Sequence, residues 1–212
     1  MSSPTDSLEN LVEQIRRKAP EYLDLFTAKT EEEFERAFLP ILERAVAGLE
    51  ANKTNFVNLD EVGLSGVLAL ALSIPGLTVT QETHSNGHVD LTITADHCVP
   101  SRRKLGEAKI YRGIEYHLKG LEQLLGRYTT GREGMGLLIE YFRNKNIAML
   151  VRKLREKMDE EHPCQQQGET TDHGLQWSFL SVHTHSSGEN LSVGHIGCNL
   201  STDSSTPAAP AK

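Results

Sequence analysis

The 212-residue chain predicts an α/β fold: a mixed β-sheet flanked by helices and preceded by an N-terminal helical segment. Three observations carry this. Helical periodicity fills the first fifty residues, strand-like runs then alternate with amphipathic helices, and a turn signal joins the first two strands. The expected division is a helical segment over 1–52, an α/β domain over 53–200 ending in a β-hairpin, and a disordered low-complexity tail over 201–212, "STDSSTPAAPAK".

Each element has a local cause. "DSLENLVEQIRRKA" places Leu8, Leu11, Val12 and Ile15 on one helical face, and "PEYLDLFTAK" continues in helical register. "TEEEFERAFLPILERAVAGLEAN" opens on a capping box, Thr30 with Glu33, and Pro40 within it predicts a kink or a break. "NLDEVGLSGVLALALSIPG" reads as a helix that is apolar almost all round, hence buried against a sheet, with Glu61 in its first turn. Strands follow at Leu77–Glu82 and Val89–Ala95, with Asn86–Gly87 as the hairpin signal, and at Lys104–Arg112. "GIEYHLKGLEQLLGRY" is an amphipathic helix, "EGMGLLIEYF" a buried strand, and "NKNIAMLVRKLREKMDEE" a further helix. "GLQWSFLSVHTH" and "NLSVGHIGCNL" form the terminal hairpin across "SSGE".

Composition narrows the class. Hydrophobic content of 38% and charged content of 24% suit a soluble globular protein, and no run of eighteen apolar residues predicts a membrane span. The start "MSSPTDSLENLVEQ" lacks a secretory pattern, and three widely spaced cysteines make a disulfide framework an unfavoured reading, so a cytoplasmic setting is expected. The net charge of −7 is unevenly spread. Residues 1–100 carry 7 Lys/Arg against 16 Asp/Glu, residues 101–157 carry 14 against 6, and residues 158–212 carry 1 against 7. The basic middle suits a phosphate-bearing partner, although a bias of this kind also describes solvated helix faces.

The chemistry concentrates in "HVDLTITADHCVPSRRKLGEAKIYRG". Asp90 heads one strand and Glu107 lies within the next. Antiparallel neighbours lie about 4.8 Å apart, so the two carboxylates can converge on one divalent cation. Period 2 turns Lys109 to the face of Glu107. Two acids and an amine on one side of a sheet can hold Mg²⁺ or Mn²⁺, activate a water and stabilise charge developing at phosphorus. The Ala108 carbonyl is a further possible oxygen ligand.

These residues resemble the PD-(D/E)xK nuclease superfamily, the restriction-endonuclease-like fold, over roughly residues 58–158. The match is Asp90 followed by Glu107-Ala108-Lys109. The resemblance implies Glu61, on the preceding helix, as a third acid, and Gln123 as a residue placing the lysine or a phosphate. Tyr128 follows Gln123 at a gap of four residues where the family usually has three, and no proline precedes Asp90. It implies a Mg²⁺-dependent deoxyribonuclease in which Asp90, Glu107 and Glu61 bind metal and Lys109 serves the attacking water. Arg102, Arg103, Lys104, Lys119, Arg127 and Arg132 are the expected phosphate contacts. With no sequence-reading module visible, DNA targeting is expected from a partner subunit or a homo-oligomer joined through the acidic N-terminal helices, as in a bacterial defence assembly. The competing reading of the core motif is a solvated Glu107–Lys109 salt bridge.

Two other classes stay open: a catalytically inactive nuclease-fold scaffold, and a zinc-binding structural protein. The second would use His183, His185, His195 and Cys198 on the terminal hairpin, whose simpler reading is polar residues on an exposed surface. His84 and His88 flank the first hairpin turn, where solvated histidines are the ordinary case. "GREGMG" lacks the Lys-Ser/Thr of a phosphate loop, and Cys98 and Cys164 have no recognisable catalytic partner.

Overall fold

The computed structural model describes residues 7–81, 90–95, 97–98, 101–129 and 134–202. The Asn86–Gly87 turn, His84, His88, Arg132 and the tail from residue 203 lie outside the described residues, as do the side chains of Arg127 and Tyr128.

Three helices open the chain: α1 (Leu8–Lys18), α2 (Pro20–Thr27) and α3 (Glu31–Ala51). The capping box forms as expected, with Thr30 Oγ1 accepting from the Glu33 amide and the Glu33 carboxylate accepting from the Thr30 amide. Pro40 does not break α3, which runs on as one helix. Helix α4 (Glu61–Leu72) is capped by Asp60, whose Oδ1 accepts from the Gly63 amide. It buries Leu64, Leu68 and Leu72, yet Leu70 is 77% exposed; an apolar composition all round does not give burial all round.

The strands are β1 (Thr78–Thr80), β2 (Leu91–Ala95), β3 (Arg102–Ile110), β4 (Met135–Phe142), β5 (Thr171–Asp172), β6 (Phe179–Thr184) and β7 (Asn190–Asn199). They form one seven-stranded mixed sheet in the order β1-β2-β3-β4-β7-β6-β5. The β3–β4 and β4–β7 pairs are parallel and the others antiparallel. Helix α5 (Ile114–Gln123), extended by a π-helical turn over Leu124–Tyr128, and helix α6 (Ile147–Glu161) supply the crossovers. No described helix is long and apolar enough to cross a membrane.

Alternation along the strands gives the sheet two apolar faces. Ala108, Leu137, Ile139, Tyr141 and Ile196 pack with Phe34, Phe38, Leu42, Leu64 and Leu68 of α3 and α4. Leu105, Leu138, Phe142 and Val193 pack with Leu121, Val151 and Leu154 of α5 and α6. Helix α3 therefore shares a core with the sheet, and packing does not respect the boundary expected at residue 52.

That packing also explains the uneven charge. Acidic α3 lies on basic β3: Arg102 donates to Glu31 (3.1 Å) and to the Lys29 carbonyl (2.9 Å), and Lys104 pairs with Glu35. Lys104 is 0% exposed, with its ammonium 5.7 Å and 5.6 Å from the ring centres of Phe34 and Phe38. Neither residue is a free phosphate contact: Lys104 is sealed in the core and Arg102 is committed to Glu31. Arg103 and Lys119 are exposed.

Candidate active site

The site is built where β2 stops short of its neighbour. Leu91 is the first residue of β2 and pairs with Gly106, so among the described residues the β3 amides beyond Gly106 have no backbone partner on that side. Buried amides require acceptors. Asp90 Oδ2 accepts from the Ala108 amide (2.9 Å), and Glu61 Oε2, from the first turn of α4, accepts from the Ile110 amide (2.8 Å). Two carboxylates are thereby fixed along the open end of β3.

Lys109 completes the set. Its Nζ lies 2.5 Å from Glu107 Oε1, 3.5 Å from Glu61 Oε1 and 3.8 Å from Asp90 Oδ2. Glu107 is 1% exposed and its second oxygen, Oε2, is buried with no hydrogen-bond partner among the described residues. The pair is therefore not a solvated salt bridge. Glycine at 120 lets α5 settle over it: a Cβ there would lie 3.1 Å from Leu138, 3.5 Å from Lys109 Cγ and 3.8 Å from Glu107 Cγ.

The electrostatics follow from crowding. Burial, then the negative charges of Asp90 and Glu61, push the Glu107 carboxyl up to about 7 despite the lysine beside it. Burial alone would lower the Lys109 ammonium, but Glu107, Asp90 and Glu61 together outweigh it and hold Lys109 above the usual lysine range. With Glu107 ionised, three carboxylates face one ammonium.

Asp90, Glu107, Lys109 and Glu61, all named from sequence, are thus brought together. Gln123 is not joined to them: it sits half-buried at the end of α5 with no hydrogen bond to Glu107 or Lys109 among the described residues. Among the described residues, no three His, Cys, Asp or Glu side chains stand as a ready-made metal cluster, and Lys109 lies within 3.8 Å of all three carboxylates.

The hairpin histidines are neither exposed nor a zinc set. His183, His185 and His195 are buried. Cys198 packs on the opposite face of the sheet with Tyr141, and His185 is bonded to Ser187 and to the Thr129 carbonyl. His183 and His195 instead meet through Ser181 Oγ, 2.7 Å from each.

Sequence reasoning missed two residues. Glu140, on β4, stands opposite Lys109 in the β3–β4 register, and its Oε1 lies 2.9 Å from His117 Nδ1 of α5. Both are buried. The available signals were a single acid inside the apolar run "MGLLIEYF" and a histidine on the apolar stripe of α5.

Comparison of the chain with family models, curated proteins and solved structures finds no match.

Proposed function

We propose that this protein is a metal-dependent nuclease that hydrolyses DNA phosphodiester bonds on a restriction-endonuclease-like fold, working as a subunit or effector of a larger assembly. One observation carries the reading: carboxylates from α4, the head of β2 and the middle of β3 converge within 3.8 Å of one lysine. A purely structural ion pair needs one acid. Three acids with one amine leave excess negative charge at a partly exposed point, which suits a hard divalent cation with oxygen ligands.

The residues fit Mg²⁺ or Mn²⁺ in charge and donor type: Asp90 and Glu107 as principal ligands, Glu61 and the Ala108 carbonyl beside them, and the unpartnered Oε2 of Glu107 as an acceptor in want of a cation. Such an ion, when bound, supplies Lewis acidity to a phosphoryl oxygen and acidifies a water. The chain's own contribution is positional. Asp90 and Glu61 are pinned by backbone amides, and Lys109 is held where an ammonium can orient a water or offset charge at phosphorus. Of the six basic residues named for a phosphate backbone, Arg103 and Lys119 are exposed among those described.

The test is cleavage of plasmid DNA with Mg²⁺ or Mn²⁺ by the wild type, Asp90→Ala and Lys109→Ala. Metal-dependent cutting that both substitutions abolish supports the reading; equal cutting by both variants defeats it. A second reading, a nuclease-fold scaffold without catalysis, is favoured by the lysine already occupying the shared centre, and a silent wild type selects it.

A further inference from the structure

A continuous line of buried hydrogen bonds runs from the candidate site across the sheet, beneath α5 and α6. Glu140 Oε1 meets His117 Nδ1 at 2.9 Å, and His117 Nε2 meets His195 Nδ1 at 2.9 Å. His195 Nε2 meets Ser181 Oγ at 2.7 Å, Ser181 Oγ meets His183 Nε2 at 2.7 Å, and His183 Nδ1 meets the Cys164 carbonyl at 3.1 Å. None of the five side chains is more than 2% exposed.

The carbonyl at the far end sets the proton inventory. A carbonyl only accepts, so His183 carries a proton on Nδ1. If His183 is neutral, its Nε2 accepts from the Ser181 hydroxyl, Ser181 accepts from His195 Nε2–H, and His195 Nδ1 accepts from His117 Nε2–H. His117 Nδ1 and Glu140 then face each other with one further proton between them, borne by either. If Glu140 is ionised and all three imidazoles are neutral, the links cannot all close: pointing every donor toward Glu140 sets a bare His183 Nδ1 against the carbonyl, and pointing every donor away from it sets a bare His117 Nδ1 against the carboxylate. Complete closure therefore requires one proton beyond that state. Shifting one proton along each link moves the excess from the Glu140–His117 end to His183 without adding or losing any atom.

Burial disfavours a charged His183. It holds His195 well below the usual histidine range, with His117, His183 and His173 adding to the effect. Burial likewise favours the protonated form of Glu140, against the pull of His117 and Lys109 and with the push of Glu61. The excess proton thus belongs at the Glu140 end, beside Lys109.

We propose that Glu140 and His117 are positioning residues of the candidate site, which store one proton between them and so keep a fourth uncompensated carboxylate from drawing Lys109 away from Glu107, Asp90 and Glu61. The catalytic consequence rests on the nuclease reading; the proton arrangement does not.

Two measurements test it. Long-range ¹H–¹⁵N spectra of the histidines at pH 7 should show His195 protonated on Nε2 and His183 on Nδ1, a pattern that Glu140→Gln keeps because its amide donates to His117 Nδ1. Ser181→Ala should leave His183 unchanged and let His195 populate both tautomers. His195 protonated on Nδ1, or His183 on Nε2, overturns the arrangement whatever the protein does to DNA. In the cutting assay, Glu140→Gln should stay within about threefold of the wild type, whereas Glu140→Ala should fall at least about tenfold, the equivalent of ~1.4 kcal/mol in the barrier. Equal loss in both variants, or no loss in Glu140→Ala, overturns the positioning role. A wild type that cuts nothing removes the nuclease reading, and the spectra then decide the proton chain alone.

Discussion

Two lysines five residues apart on β3 show how differently one strand can bury a charge. Lys104 turns toward α3, 0% exposed, with Glu35 as its ion-pair partner and two phenylalanine rings against its ammonium. Lys109 turns toward α5, 14% exposed, with three carboxylates. Burial lowers Lys104 from the usual lysine range, while the surrounding acids raise Lys109 above it. The first is a one-to-one pair whose ammonium is sealed in the core. The second is acid-rich and opens toward solvent, so it has charge left over for a ligand. The comparison separates a lysine that holds the fold together from one available for chemistry, although sequence patterning marks both as basic residues of one segment.

The largest test of that contrast is Lys104→Ala. It leaves the partly buried Glu35 carboxylate of α3 without its ammonium and empties the fully buried lysine site, and the loss of one member of a buried pair costs up to about 3–5 kcal/mol. Thermal unfolding should therefore occur at a markedly lower temperature, and a wild-type melting point would break the comparison. Lys109→Ala should act on activity instead, lowering metal-dependent cutting by about 10²–10³-fold, as expected when a charge-stabilising donor is lost. Its melting temperature should fall by less than that of Lys104→Ala.

Glu107 provides a pH-dependent test. Its folded-state carboxyl is raised to about 7 from an ordinary 4.5, so the fold favours the protonated form. The resulting stability is fully present below pH 4.5 and is lost as pH rises through 7. Glu107→Gln keeps that position neutral at every pH. Its melting temperature relative to wild type should therefore rise between pH 5 and pH 8, by about 2–4 °C for each kcal/mol relieved. Mg²⁺ should raise the wild-type melting temperature at pH 8 and lose that effect in Glu107→Gln. A difference that is flat with pH would mean that Glu107 is already ionised without strain. The smallest effect is at the acidic helix itself: Thr30→Ala removes half of the α3 capping box and should cost about 1 kcal/mol in denaturant unfolding, with no change in cutting.

Much of this was legible in advance because its causes are short-range. The capping box, the helix periods and the period-2 pairing of Glu107 with Lys109 depend on residues two to four apart. The placement of Asp90 beside β3 needed only adjacent strands. Two of the six basic residues expected to meet phosphate, Arg102 and Lys104, answer instead to Glu31 and Glu35 across about seventy residues, because charge balance along a chain says nothing about which acids fold back onto it. Glu140 and His117 were overlooked for the same reason. A lone acid in an apolar strand acquires meaning only once a helix lays a histidine on it.

The sequence by itself determined which residues could be chemical: acids and a lysine at fixed spacing on strands that alternate by necessity. Tertiary structure alone decided which of them meet. The early end of β2 opens the β3 amides to Asp90 and Glu61, the strand order sets β7 beside β4, and the docking of α5 links His117 to His195 across 78 residues. Local periodicity fixes direction within an element, whereas partnership across the sheet follows from burial of both its faces, and that is a property of the whole chain.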